Sequence, residues 1–378
     1  RWGVGGTALV VLLITSFTVL HTMRVMQERN RAQIEAEKAR EVSTFLVELF
    51  EAGHPRQTQG DTLTAYDLLD RGAAQASTLH ERPAIQAQLF GAIGRAYTGL
   101  GEYPRADSLL RRSLALQRLA YGPETREVAD AEVALGLLHR SQRDFEQADS
   151  LFAQALPTYR GHLGSDHGVT ARILARRAEV QRNLPGRLDD AEASAREALA
   201  ILDRQTAPNT ADRLIAQHAL ALVLRSQNRL DEAETLYRSI LATQRRTLPD
   251  DHSDLASTLN NLAYLLRTRR APDEAEPLYR EAVSILENVY GPSHPNVLML
   301  LSNLASVLYQ QGDVRGTEQV LREKAERARQ RYGPDHWRTG SAWVAGVGRL
   351  LMNDNDCAAA LPVLDKGRGV LAQSLGTE

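Results

Sequence analysis

Apolar positions recur at helical spacing along most of the chain, in paired runs separated by short breakers. The plainest instance runs from Leu259 to Pro295. Leu259, Leu262, Ala263, Leu265 and Leu266 line one face of a first helix. Arg270-Ala271-Pro272 ends it, because proline lacks a donor and disfavours a helical residue before it. Asp273 and Glu274 open a second helix, where the positive end of the dipole favours acids. Ala275, Leu278, Tyr279, Ala282, Ile285 and Leu286 form its apolar face, and Gly291 and Pro292 stop it.

The unit recurs. Small residues mark the second helix at steps of about 42: Ala106, Ala148, Ala191, Ala233, Ala275, Thr317 and Ala360. A second series marks the first helix: Gly94, Gly136, Ala178, Ala221, Ala263, Ala305 and Gly348. Ala178 fits if the turn at Leu184-Pro185-Gly186 is one residue longer. Tyr121-Gly122-Pro123, Leu163-Gly164, Tyr290-Gly291-Pro292 and Tyr332-Gly333-Pro334 close the second helices. A fixed period means a stacked array, and small residues at the crossings let paired axes approach to about 8 Å. The pattern predicts an all-α superhelical solenoid over 84–378, with about seven repeats of about 42 residues. They run roughly 84–121, 126–162, 168–204, 210–247, 253–290, 295–332 and 338–372. Lys366-Gly367-Arg368-Gly369 is expected to weaken the last second helix. Period alone admits HEAT or armadillo repeats, but one small position per helix favours the tetratricopeptide pattern. The segments LNNLAYLL, DEAEPLYREAVSIL and YGPSHP resemble the long tetratricopeptide repeats of kinesin light chains and of many bacterial proteins.

The N-terminal part has a different pattern. Trp2 to Leu20 carries no charge, about the minimum for a membrane span, which predicts a transmembrane helix over 1–24. Trp2 at one end and His21 and Arg24 at the other suit the two interfaces. Residues 25–53 form a charged helical stalk. Its one apolar face, Val42, Phe45, Leu46, Leu49 and Phe50, could dock on the solenoid or pair two chains as a coiled-coil homodimer. Thr64 caps a further helix, over 64–80, that covers the open face of the first repeat. The segment from Glu37 to Ala73 resembles the juxtamembrane region of bacterial transmembrane serine/threonine protein kinases. In that family a kinase domain precedes one membrane helix and a tetratricopeptide sensor. The resemblance implies a single-pass cell-membrane sensor module. No HRD loop, DFG or VAIK lysine lies within this chain, so no catalytic residue is assigned. A freestanding membrane-tethered scaffold stays open. Orientation stays open too. Arg24, Arg29, Arg31, Lys38 and Arg40 after the span place the repeats in the cytoplasm by the positive-inside rule, whereas the resemblance places them outside.

Composition narrows the chemistry. The 378 residues carry a net charge of −2, which gives no case for nucleic acid. Cys357 is the only cysteine, so no intrachain disulfide forms. His167, His252, His294 and His336 fall at matching positions between repeats. Zinc needs about four ligands within about 2.1 Å of one point, and repeats stack roughly 10 Å apart. These histidines are therefore expected to cap or pack against the next helix. HExxH, CxxC and GxSxG are missing, so neither metal nor cofactor is expected. Asp189-Asp190 and Asp250-Asp251 sit at helix starts, where they serve capping.

Binding is the remaining chemistry. In this fold the first helices line the inner groove. Four residues after the first-helix marker stand Arg140, Arg182, Arg225 and Arg267, then Tyr309. Arginine's planar fork suits carboxylates, so the ladder predicts a groove for an acidic or C-terminal peptide segment of a protein. The alternative is that each arginine pairs with an acid of a neighbouring helix. Asn261 and Asn303 lie two residues before their markers, and similar asparagines in kinesin-light-chain-like repeats contact peptide backbone. Tyr264 and His218 project inward on the same register.

Overall fold

A computed structural model of the chain describes residues 64–206, 209–348, 350 and 357–375, with Thr22 and Met26. The expected span at 2–20 and the stalk face Val42–Phe50 lie outside the described residues. Among the described residues no helix is long and apolar enough to cross a membrane. The chain divides into two compact units at Ser165/Asp166. Among the described residues both are helical throughout, built from stacked pairs.

The first unit runs α1 (Ala65–Ser77), α2 (Pro83–Leu100), α3 (Tyr103–Tyr121), α4 (Arg126–Gln142) and α5 (Phe145–Leu163). Thr64 and Asp67 form a reciprocal capping box at the start of α1: the Thr64 hydroxyl accepts from the Asp67 amide at 3.2 Å, and Asp67 Oδ2 accepts from the Thr64 amide at 2.8 Å. Two groups tie α1 down. Gln86 Nε2 donates to the Ala76 carbonyl at 2.9 Å, and the Tyr97 hydroxyl donates to Asp70 at 2.6 Å.

The second unit runs α6 (Gly168–Gln181), α7 (Leu188–Asp203), α8 (Thr210–Ser226), α9 (Leu230–Thr247), α10 (Ser253–Thr268), α11 (Pro272–Tyr290), α12 (Pro295–Gln310) and α13 (Val314–Tyr332). It ends with α14 (Trp337–Ser341), a π-helical turn over Ala342–Gly348, and α15 (Cys357–Leu375). Each odd-numbered helix through α13 except α1 is the second of its pair; α6 packs on α7 and α8, and α10 on α11 and α12.

The small markers sit at the crossings. Ala106, Ala148, Ala191, Ala233 and Ala275 are fully buried. Where the first-helix marker is glycine there is no room for more: a methyl group on Gly94 would lie 2.7 Å from Leu110, and one on Gly136 2.7 Å from Phe152. Leu110 and Phe152 each stand four residues after the second marker, so a bulky group there demands glycine opposite. Thr317 is buried with its hydroxyl donating to the Asp313 carbonyl at 2.7 Å.

The expected weakening at Lys366–Gly369 is not found, because α15 continues to Leu375. Gly367 serves close packing instead. A methyl group there would meet Val344 at 2.5 Å and the Gly340 carbonyl at 3.1 Å. The irregularity falls on the preceding helix, which widens into the π turn.

Candidate functional site

The first helices of the second unit, α6, α8, α10 and α12, each end in the marker-plus-four residue. Arg182 is the C-cap of α6, Arg225 and Arg267 lie in the last turns of α8 and α10, and Tyr309 ends α12. Cations there complement the negative end of the dipole. Arg140 holds the matching place on α4 in the first unit.

Tyr264 joins two of the arginines. Arg225 lies 4.8 Å and Arg267 4.9 Å from its ring centre, both as cation–π contacts. Arg225 Nη1 donates to Asn261 Oδ1 at 3.3 Å, and Asn261 Nδ2 meets His218 Nε2 at 2.9 Å. The arginine can only donate, so Oδ1 faces it and Nδ2 is the donor toward the histidine. His218 Nε2 must then accept, which makes the imidazole neutral. Burial lowers its pKa; Glu179 opposes this, and Arg225, Arg182 and Arg176 reinforce it.

Beneath this layer lie Tyr237 of α9 and Tyr279 of α11, both fully buried; the Tyr237 hydroxyl has no hydrogen-bond partner, and Tyr279 faces Arg267. Burial pushes both phenols up to about 12. Arg182 Nε and Arg267 Nε are likewise buried without a partner. Burial, then the charge of Arg225, pushes Arg182 down.

Asn303 Nδ2 donates to Asn260 Oδ1 at 3.0 Å. Both predicted asparagines therefore tie a first helix to the one before it. Tyr309 is 47% exposed, as open as Met299 nearer the start of the same helix.

Other arginines of this unit behave differently. Arg196, Arg238, Arg280 and Arg322 pair with Glu192, Glu234, Glu276 and Glu318 one turn earlier on the second helices. Arg229 and Arg269, in the turns of the following pairs, reach back to Glu192 and Glu234 at 2.7 and 2.5 Å. This glutamate ladder, at steps of about 42 like the markers, was legible in the period but not singled out. Arg225 and Arg267 make no ion pair with a carboxylate among the described residues, and Arg182 lies in the field of Glu179.

The between-pair histidines do act as caps. Nδ1 of His167, His252, His294 and His336 accepts the amide two residues on, at 3.1 to 3.2 Å. A hollow of about 520 Å³ lies elsewhere, among Leu241, Leu262, Leu266, Pro277 and Leu278, rimmed by the Arg238–Glu274 pair.

Two sequence models, each described as a tetratricopeptide repeat, match the chain: one at residues 85–161, 127–204, 212–288 and 254–315, the other at 297–338. No curated protein matches. Among solved structures, BtubC (BKLC) from P. vanneervenii is similar at a TM-score of 0.50 with 19% identity, covering 66% of this chain and 93% of its own. The apo form of RapI is similar at 0.51 and 12%, covering 77% and 97%. A signal transduction ATPase (STAND) protein with a tetratricopeptide repeat sensor, from Pyrococcus horikoshii, is similar at 0.56 and 10%, covering 82% of this chain and 45% of that one.

Proposed function

Because the chain belongs to the tetratricopeptide-repeat family, we propose that it is a protein-binding scaffold whose first-helix face in the second unit takes an acidic or C-terminal peptide segment. One observation carries the reading. Arg225 and Arg267 are half-buried with no ion pair to a carboxylate among the described residues and Arg182 has only the field of Glu179, while Arg196, Arg238, Arg280 and Arg322 on the second helices are paired. A buried or half-buried cation without a counter-ion is costly, and a ligand carboxylate supplies one. Tyr309 offers an aromatic end to this face, and Arg140 holds the same register within the first unit. The test is fluorescence polarisation of the full chain with acidic and uncharged peptides of equal length. Acidic peptides should bind, and more weakly as salt rises; equal binding of both sets removes the reading.

We further propose that the module is held at a cell membrane through residues 2–20, as the non-catalytic part of a serine/threonine kinase. The likeness of Glu37–Ala73 to such juxtamembrane segments supports it. Upstream coding sequence with HRD and DFG motifs is the expected finding, and its absence favours a freestanding tethered scaffold. The same resemblance favours repeats outside the cytoplasm, and the stalk face Val42–Phe50 supports pairing of two copies. A C-terminal reporter active only in the cytoplasm would reverse the orientation. A monomer at micromolar concentration in detergent would remove the pairing.

A further inference from the structure

Resting on the reading that this face takes a peptide carboxylate, we infer that Arg225 is the residue that receives it, on the Nε–Nη2 edge of its guanidinium, and that Asn261 and Tyr264 are the positioning residues that hold that edge ready. A guanidinium is planar, and its edges can meet the two oxygens of a carboxylate with parallel N–H bonds. On Arg225 part of that capacity is already engaged. Nη1 donates to Asn261 Oδ1 at 3.3 Å, and the guanidinium carbon lies 4.8 Å from the centre of the Tyr264 ring. The side chain makes no other hydrogen bond and no ion pair among the described residues. Nε and Nη2 are left, side by side and both unbonded. Arg225 is half-buried, yet neither nitrogen is shut away from solvent.

Asn261 is itself held from two sides. His218, two turns before Arg225 on α8, meets its Nδ2 at 2.9 Å. An arginine only donates, so the amide oxygen turns to Arg225 and the amide nitrogen to His218. The amide therefore has one orientation, and that orientation presents an acceptor to Nη1. Tyr264 follows one turn later on α10. Residues three apart lie on one face of a helix, so Asn261 and Tyr264 meet Arg225 together. The first engages an edge of the guanidinium and the second stacks as its cation–π partner. A long side chain held in this way has less freedom to lose when a ligand arrives.

The two neighbouring arginines are placed differently. Arg267 also lies against the Tyr264 ring, at 4.9 Å, and it faces Tyr279 of α11. Its Nε is buried without a partner, and so is Nε of Arg182. The Nε edge of each is closed to a group arriving from solvent. Both add positive field, which a carboxylate feels at a distance, while Arg225 supplies the paired bonds.

The experiment reads peptide affinity by fluorescence polarisation on the full chain. Three labelled peptides are compared: one with an internal glutamate and an amidated end, one with a free C-terminal carboxylate as its only acid, and one with neither. Whichever of the first two exceeds the third identifies the source of the carboxylate. With that peptide, Arg225→Lys, which keeps the charge and loses the fork, should weaken binding about tenfold, whereas Arg267→Lys should stay within about twofold. Asn261→Ala should weaken binding about fivefold alone and add nothing to Arg225→Lys, the non-additivity expected of a residue that acts through another. Tyr264→Phe should bind as the wild type and Tyr264→Ala more weakly, with helical circular dichroism unchanged throughout. If Arg225→Lys binds normally, or loses no more than Arg267→Lys, the assignment to Arg225 is wrong while the carboxylate-binding face stands. Additive losses from Asn261→Ala overturn its positioning role. If neither carboxylate peptide exceeds the uncharged one, both readings fail.

Discussion

Asn261 holds His218 in its neutral form: its amide nitrogen donates to His218 Nε2 at 2.9 Å while its oxygen faces Arg225. The folded pKa is lowered, first by burial, whereas the unfolded imidazole titrates near about 6.5. Below that range the unfolded state binds a proton the folded state refuses. Stability from this group is therefore full above about pH 6.5 and falls on acidification. Denaturation at pH 7.5 and 5.5 should show a smaller acid loss in His218→Gln than in the wild type. Equal losses would show that His218 titrates normally in the fold.

Glu192 carries the opposite sign. Burial raises its pKa, but hydrogen bonds from Gln227, Arg229 and Arg196 outweigh this and hold it at about 2. A depressed carboxyl contributes stability above the unfolded value, near about 4.3, and loses it as pH falls toward the folded one. Glu192→Gln should cost about 2 kcal/mol at pH 7 and much less at pH 2.5, measured by urea melts. A pH-independent cost would mean the ladder acts through packing alone.

Gly136 tests the crossing. In an exposed helix, alanine for glycine stabilises by about 1 kcal/mol. Here a methyl group meets Phe152 at 2.7 Å, so Gly136→Ala should instead destabilise by about 1–3 kcal/mol. Phe152→Leu in the same chain should recover part of it. A stabilised Gly136→Ala would contradict the packing account.

His294 caps α12 through Nδ1 and stacks on Tyr290 at 4.6 Å. His294→Asn keeps a cap acceptor and should be nearly neutral, while His294→Ala should cost about 1 kcal/mol. Equal effects of the two would assign the position to stacking.

Helix ends and crossings were legible because their causes are local. Pro272 starts α11, and Gly291, at φ 84°, ends it whatever lies elsewhere. Ala275 and Ala263 announce themselves by period. Gly367 was misread because a breaker and a close contact look alike until Val344 is placed against it. The Asn261–His218 and Asn303–Asn260 bonds span 43 residues, and the Arg229–Glu192 and Arg269–Glu234 ties 37 and 35, so sequence showed the donors without their partners. Tyr279 was placed on an apolar face, but its position under the arginines, and that of Tyr237, follow only from the stacked helices.

The sharpest test of the account is a charge swap on the arginine face. Arg225→Glu and Arg267→Glu are made together, and binding is read by polarisation with an acidic peptide and its lysine counterpart. The account predicts loss of the acidic peptide, gain of the basic one, and suppression of both by salt. Unchanged affinity for the acidic peptide in a folded double variant would place the ligand elsewhere and contradict it.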